Sequence, residues 1–461
     1  MADALPLDGP VMPTGGSFPF SAMGIDFSSW HYLHDRFGGH QAPIFSSPSG
    51  YNGPAQPACG HPMFHFTAPP PLSLYVHFPW CVRKCPYCDF NSHTLKADMD
   101  EMAYVEALLA DLERERPAVA SRPLVSLFLG GGTPSLFSPQ ALHHLLEGIR
   151  ARLALAADCE ITLEANPGTA ERGRFEEYRA IGINRLSLGI QSFDDRKLRA
   201  LGRIHDGREA REAVEAAHAA GFASLNLDLM FALPGQSLRE MQADLEQALA
   251  CAPRHLSLYQ LTIEPNTAFA HAPPALPDED TAWAMQETAA GMLAAAGFRQ
   301  YEISAWARPG HRCRHNRQYW TFGDYLGIGA GAHGKLTHAE AGRIERHRKP
   351  RHPRDYLCAA RAPGCAPLGV RHRLSAKDVR FEFFLNVLRL TEGFDTALYP
   401  THAGQPWPQA DPGLRKALQE GWLEQTGDHL CPTERGLRFL NDVQALFLPV
   451  EEEKREPHHG H

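Results

Sequence analysis

From residue 71 onward the chain alternates short apolar runs with longer amphipathic stretches, and this restricts the available folds more than any other feature. The runs are Leu72–Val76, Leu124–Leu129, Glu160–Leu163, Arg185–Ile190, Ser224–Phe231 and His255–Leu261. Between them, Met102–Leu112 places Tyr104, Leu108, Leu109 and Leu112 on one helical face, and Pro139–Ile149 does the same with Leu142, Leu145, Leu146 and Ile149. Comparable patterns occupy 207–219, 237–250 and 280–296. Strands separated by helices of this length form right-handed βαβ units around a parallel sheet. The expected class is α/β, with six units either curling into a partial barrel or lying open as a doubly wound sheet. Polar and glycine residues follow the strands: Gly130–Thr133, Glu164, Gln191, Asp228–Gly235 and Glu264. In a barrel they would converge on the face at the C-terminal ends of the strands.

A chain of 461 residues suggests two or three domains. Its net charge of −8 provides no overall field to steer it to nucleic acid. One basic stretch, 343–354, reads as a solvated loop. No apolar run is long enough for a transmembrane helix. The first 70 residues hold one Arg and no Lys, which argues against signal and transit peptides and for a cytoplasmic protein. That arm, rich in Pro, Gly and Ser without a period, reads as mostly extended or disordered. Its Phe residues leave room for part of it to pack onto the main domain. Residues 336–374 connect to a second region, 375–450. There Val379–Leu388 and Leu414–Gly421 read as helices, and Gly427-Asp428 as the turn of a short hairpin. Thr433–Leu448 reads as a helix capped by Thr433, with Leu437, Leu440, Val443, Leu446 and Phe447 facing inward. This is a small winged-helix-like pattern, followed by a charged tail at 451–461.

Ten cysteines in a chain of this length are not a disulfide framework. Seven are scattered, while Cys81, Cys85 and Cys88 fall within eight residues. Closely spaced thiolates are what an iron–sulfur cubane needs, and three of them leave one iron open. Zinc is the other reading. It asks for a fourth ligand, which folding would have to supply from Cys313 or His315.

Cys-x3-Cys-x2-Cys with Tyr87 before the last Cys, placed after the first strand, resembles the signature of the radical S-adenosylmethionine (SAM) superfamily. Phe78-Pro79-Trp80, Gly130–Ser135, Glu164-Ala165-Asn166-Pro167, Gly189–Phe193 and Asp228–Gln236 resemble the anaerobic coproporphyrinogen III oxidase family. Within it, Cys85–His93 and His315–Trp320 resemble the HemW branch, the haem chaperones. The likeness spans about 71–450 and leaves out the arm. It implies a partial (β/α)6 barrel over 71–335 and a HemN-type C-terminal domain over 375–450. It also implies a [4Fe–4S] cluster on Cys81, Cys85 and Cys88. SAM contacts then fall to Tyr75, Tyr87, Gly131, Gly132, Thr133, Glu164, Gln191, Arg203 and Asp228. The charges suit this, since carboxylates favour the sulfonium and ammonium of SAM and Arg203 its carboxylate.

Haem is the third ligand implied. His315, Asn316, Tyr319 and Trp320 offer aromatic walls and, with Cys313 or His315, an axial ligand; Cys431 is a weaker thiolate candidate. The Gly-rich Leu326–His333 reads as a late barrel element near the adenosyl or second-ligand site. The implied function is a chaperone that passes haem to an acceptor protein. A homodimer is compatible, nucleic acid is no partner, and membrane contact arises only through the acceptor. The alternative is an oxygen-independent coproporphyrinogen III oxidase. Those oxidases carry a further Cys two positions after the last cluster Cys, where this chain has Phe90. The arm favours the oxidase, because oxidases have an N-terminal extension, but its composition is not that of a folded lid.

Overall fold

The computed structural model describes residues 63–95, 99–119, 121–168 and 172–449. The reading of residues 1–62 as a disordered arm, and of 451–461 as a tail, lies outside the described residues. Six strands stand side by side in chain order, all parallel: β1 (Leu72–Phe78), β2 (Leu124–Gly131), β3 (Leu155–Ala165), β4 (Arg185–Gln191), β5 (Ser224–Phe231) and β6 (His255–Gln260). A doubly wound sheet reverses its strand order at a switch point. No reversal occurs here, so the choice falls to the partial (β/α)6 barrel.

The sheet continues past both ends of this series. Beside β6 lie β7 (Arg299–Glu302) and β8 (Ala305–Ala307), with β8 pairing antiparallel to β6. Beside β1 lies β9 (Asp324–Ile328), parallel to it. Then come β10 (His333–His338), β11 (Arg343–Arg348) and β12 (Val370–Arg373), each antiparallel to its neighbour. The twelve-stranded sheet ends on β7 and β12, which do not pair, so it stays open.

Helices α1 (Glu101–Val119), α2 (Pro139–Arg150), α3 (Phe175–Ala180), α4 (Asp195–Ala200), α5 (Gly207–Ala219), α6 (Leu238–Ala250) and α7 (Glu279–Ala295) cover the outside. Their starts are written in the sequence. Ser138 and Asp278 cap α2 and α7, and Asp206 and Ser237 form capping boxes with Glu209 and Glu240 on α5 and α6. Such caps contribute about 1 kcal/mol each. Leu72, Leu74, Val76 and Phe78 share one core with Tyr104, Leu108 and Leu112 of α1 and Leu142, Leu145 and Ile149 of α2.

The strands' other face is polar as well as buried. Ser73, Ser126, Thr162, Ser187, Asn226 and Ser257 lie there in alternation with the apolar residues. Ser73 and Ser126 share a 2.6 Å hydrogen bond, Asn226 Nδ2 donates to Ser187 Oγ (2.8 Å), and Ser257 Oγ donates to Asn226 Oδ1 (3.1 Å). The barrel interior is thus a hydrogen-bonded lining.

Residues 343–354 are not a solvated loop. Positions 343–348 form β11, and two of the charges, Arg346 within it and Lys349 just after it, are buried against partners. Arg346 donates to Glu382 at 2.9 and 2.6 Å. Lys349 Nζ sits 2.6 Å from both Asp111 Oδ1 and Glu115 Oε1, with all three side chains inaccessible. The sequence-read helix Thr433–Leu448 also differs. It breaks at Phe439 (φ −109°, ψ 33°) into Glu434–Arg438 and Leu440–Ala445. Gly436 lies against the Trp422 carbonyl, where a Cβ would approach to 1.9 Å, and so fixes the first piece to the hairpin. Thr433 does cap this piece, through Gly436 N at 3.0 Å.

The C-terminal region sets the helix Ala376–Val387 against a three-stranded sheet of Phe394–Asp395, His429–Pro432 and Leu423–Thr426. Phe383, Phe384, Tyr399 and Phe447 form its core, and Phe384 stacks on Phe447 at 4.0 Å. Phe64, at the end of the arm, is buried in the same core and donates its N–H to Gly342 O (3.2 Å). Among the described residues no helix is long and apolar enough to cross a membrane.

Lys349 pairs with two buried carboxylates at once, and Arg371 meets the other oxygen of Glu115. Lys349→Met is therefore expected to lower stability by about 3–5 kcal/mol, the usual cost of stranding a buried charge. Denaturant unfolding checks this, and an unchanged midpoint would contradict it.

Candidate functional site

The segment that leaves β1 carries the three cysteines. Trp80–Cys81 runs beside His93–Thr94, with His93 N donating to Pro79 O (2.7 Å) and Leu95 N to Cys81 O (2.9 Å). On its other side, Gly132 N donates to Phe78 O (2.6 Å) and Thr133 N to Trp80 O (2.7 Å). A Cβ on Gly132 would sit 2.5 Å from the Trp80 carbonyl, so the close backbone approach requires glycine. Lys84 Nζ gathers the loop by donating to Phe90 O (3.0 Å) and Ser92 O (3.2 Å).

Cys81, Cys85 and Cys88 are half-buried and unbridged. Cys81 meets the Thr133 hydroxyl, Cys85 Sγ lies 3.6 Å from Arg203 Nη1, and Cys88 Sγ lies 3.7 Å from Ser92 Oγ. Burial pushes the Cys81 thiol up and Cys88 up to about 11. Among the described residues no three His, Cys, Asp or Glu converge as ligands for a single metal ion. A cubane does not ask for that, because its cysteines bind different irons.

Two carboxylates stand close by, at the ends of β3 and β5. Glu164 Oε2 accepts the Gly131 N–H at 3.0 Å. Burial, and then the charge of Asp228, push Glu164 up to about 8. Asp228 is also raised by burial, and it is held by Asn226 Nδ2 (2.8 Å) and Ser187 Oγ (3.1 Å). Arg203 donates to Gly189 O (2.8 Å) and to Asn166 Oδ1, while its buried Nε has no partner. Asn166 Nδ2 in turn donates to Thr133 Oγ1 (3.0 Å). Gln191 adopts φ 67° and buries an unpartnered Oε1. Tyr75 and His77 follow each other up the lining of β1, with the Tyr75 hydroxyl 3.0 Å from His77 Nδ1. Tyr87 is buried with Leu201, Met230, Leu233, Leu261 and Phe269.

Tyr75 lies mid-strand, its ring 6.3 Å from that of His315, and the other sequence-read SAM residues lie toward the C-terminal end of the barrel with the cysteines. Asn166, Ser187 and Asn226 were not among them. Asn166 ties Thr133 to Arg203, and the other two hold Asp228. Their mark in the sequence is period-two alternation, as in Arg185-Leu-Ser-Leu and Ser224-Leu-Asn-Leu-Asp.

The sequence-read haem residues lie toward the other end, on α8 (Arg314–Trp320). His315 is buried, with Nδ1 3.0 Å from Ser126 Oγ and Nε2 3.0 Å from Tyr319 Oη. Its ring stacks on Phe128 at 4.9 Å, and burial pulls its pKa down to about 3. Tyr319 packs edge-on against Tyr325 at 4.5 Å. Asn316 is half-buried. Trp320 instead joins the C-terminal core, with the Arg389 guanidinium 4.2 Å over its ring. Cys313 is buried beside Glu160 Oε1 (3.4 Å), and burial pushes its thiol up to about 12. These contacts keep Cys313 and His315 away from the cysteine loop, so neither supplies the fourth ligand zinc would need. Cys431, half-buried, lies 3.6 Å from Thr391 O.

The model of the radical SAM superfamily matches residues 75–248, and that of the HemN C-terminal domain matches 374–439. The heme chaperone HemW of Escherichia coli is 50% identical over 379 residues, which are 82% of this chain and 98% of that protein. The heme chaperone HemW of Haemophilus influenzae is 47% identical over 386 residues, 83% and 99% of the two chains. The chain belongs to the HemW family.

The solved coproporphyrinogen III oxidase HemN of E. coli, a radical SAM enzyme, superposes with a TM-score of 0.70 over 82% of this chain and 90% of that one. At 22% identity this likeness shows the shared fold. The radical SAM superfamily implies a [4Fe–4S] cluster and SAM as cofactors of this HemW family member. The residues present fit both. Three thiols ride on one loop, and near it lie two buried carboxylates that form no salt bridge among the described residues, an unpartnered Gln191 Oε1 and an unpartnered Arg203 Nε.

With its pKa raised, Glu164 is expected to be mostly protonated at pH 7 and to ionise as pH rises through about 8. Difference infrared spectroscopy against Glu164→Gln should resolve its carboxyl band. Ionisation already complete at pH 6 would contradict the assignment.

Proposed function

We propose that this chain is a cytoplasmic haem chaperone, which binds haem and passes it to an acceptor protein from a radical SAM scaffold. The observation that carries the reading is 50% identity across 98% of a relative named heme chaperone HemW. Cys81, Cys85 and Cys88 would hold the [4Fe–4S] cluster. Tyr75, Tyr87, Gly131, Gly132, Thr133, Glu164, Gln191, Arg203 and Asp228 would hold SAM. A cluster with an open iron supplies one-electron chemistry toward the SAM sulfonium.

The chain's own residues bind and orient. Glu164 and Asp228 would favour the cationic groups of SAM, and Arg203, steadied by Asn166, would favour its carboxylate. Because Glu164 is held neutral at pH 7, SAM should bind more tightly as pH rises through about 8, where the ionised form prevails. Glu164→Gln should flatten that dependence.

The haem contacts proposed are His315, Asn316, Tyr319 and Trp320. Both ring nitrogens of His315 are engaged, so ligation through Nε2 requires the contact with Tyr319 to open. The oxidase alternative is not favoured. Relatives 35–50% identical are named heme chaperones, whereas the oxidase likeness lies at the level of fold.

Anaerobic reconstitution with iron and sulfide, followed by haemin titration, tests the reading. A stoichiometric Soret shift is expected, with no protoporphyrinogen formed from coproporphyrinogen III, SAM and reductant. Multiple-turnover product would overturn it. His315→Ala should weaken haem binding, and unchanged spectra and affinity would move the haem site elsewhere.

A further inference from the structure

Asn91 lies three residues beyond Cys88 and has no part in the assignments above. Its side chain reaches across the molecule. Nδ2 donates to the carbonyls of Ala330 and Arg351, both at 2.9 Å, and Oδ1 accepts from Arg351 Nε at 3.2 Å. Its backbone carbonyl lies 3.0 Å from His77 Nε2. One residue therefore touches the exit of the cysteine loop, the end of β1 and the turn that follows β9.

That turn is shaped to receive it. Gly329 and Gly331 take φ of 103° and 79°, a region that strains other residues. A Cβ on Gly331 would meet Asn91 Nδ2 at 2.3 Å, and one on Gly329 would meet the His77 carbonyl at 2.4 Å. The turn is also held from within. Gly329 N donates to Tyr356 Oη (3.1 Å), Ala330 N to Tyr104 Oη (3.0 Å), and Tyr104 Oη to His77 O (2.8 Å). Tyr356 Oη donates to Asp111 (2.9 Å), the same carboxylate that pairs with Lys349. The seat is thus braced by a buried ion cluster.

The cysteine loop is fastened to the barrel at its entry by Gly132 and Thr133, and at its middle by Phe269 N donating to Pro86 O (2.9 Å); its exit pairs back onto the entry through His93 and Leu95, and of the side chains past Cys88, Asn91 carries it across to the turn after β9. Lys84 acts within the loop and gives it shape, not place. We infer that Asn91 is the positioning residue that fixes the loop's exit, with the Gly329–Gly331 turn as its seat, and so sets where the cysteines stand over the barrel mouth. This assigns the Gly-rich motif to seating the loop. The inference rests on the reading that these cysteines hold the cluster.

The test compares reconstituted wild type with Asn91→Asp, Asn91→Ala and Arg351→Lys. Aspartate keeps the size and the Arg351 partner but turns a carboxylate toward two carbonyl oxygens. Arg351→Lys leaves both amide-donated bonds intact. Asn91→Asp is expected to take up iron and sulfide yet to alter the paramagnetic resonance spectrum of the reduced cluster and blunt its response to SAM. It should lose the cluster in air about tenfold faster, as the net loss of one or two hydrogen bonds implies. Asn91→Ala should behave like Asn91→Asp, and Arg351→Lys like wild type. An Asn91→Asp protein with wild-type spectra and lifetime would overturn the inference. A wild-type chain that takes up no cluster would instead overturn the reading of the cysteines. If Asn91→Asp does not fold, Gly331→Ala displaces the same amide from the opposite side and must give the same spectral change.

Discussion

Three backbones meet within contact distance at the end of β1, and the rest of the site depends on that approach. On one side Gly131 and Gly132 press against His77 and the Phe78 and Trp80 carbonyls; on the other, Gly329 presses against His77. Side chains larger than hydrogen would hold the flanking strands apart. Closeness here brings Thr133 to Cys81 and the Gly131 amide to Glu164. The cysteine loop, the carboxylates and the strand ends are thereby parts of one junction.

Charge is handled in two opposite ways in this fold. Under the Gly329 turn, Lys349 meets Asp111 and Glu115, and Arg371 meets the other oxygen of Glu115, while elsewhere Arg346 meets Glu382, so these buried carboxylates have cationic partners. At the barrel mouth, Glu164 and Asp228 are buried without a salt bridge among the described residues, and burial raises both pKa values. Unmatched burial of like charges is costly, and such sites cluster where a ligand supplies the missing charge.

The six parallel strands and the helices of the barrel were legible because period and capping residues are local. The period alone did not choose between barrel and doubly wound sheet, since both use the same βαβ units and differ only in strand order; the likeness carried by the motifs did, and the strand order agrees with it. The cysteine spacing pointed to a cubane without help from the fold. The buried state of Arg346 and Lys349 was hidden because a basic run looks solvated until its partners arrive. Lys349 pairs with Asp111, 238 positions earlier. The polar lining was legible but passed over: Leu-Ser-Leu, Leu-Asn-Leu and Leu-Ser-Leu in β4, β5 and β6 alternate plainly, yet read as apolar runs when counted by composition. The four residues of His315–Trp320 named together as a haem site separate because a seven-residue helix faces two cores.

That helix has a mechanical implication. His315 hangs from Ser126 inside the barrel, while Trp320, one and a half turns on, is clamped under Arg389, itself paired to Glu302. A displacement of this helix's backbone at His315 is therefore felt at Trp320 in the C-terminal core, so the barrel lining and that core share one short connecting element.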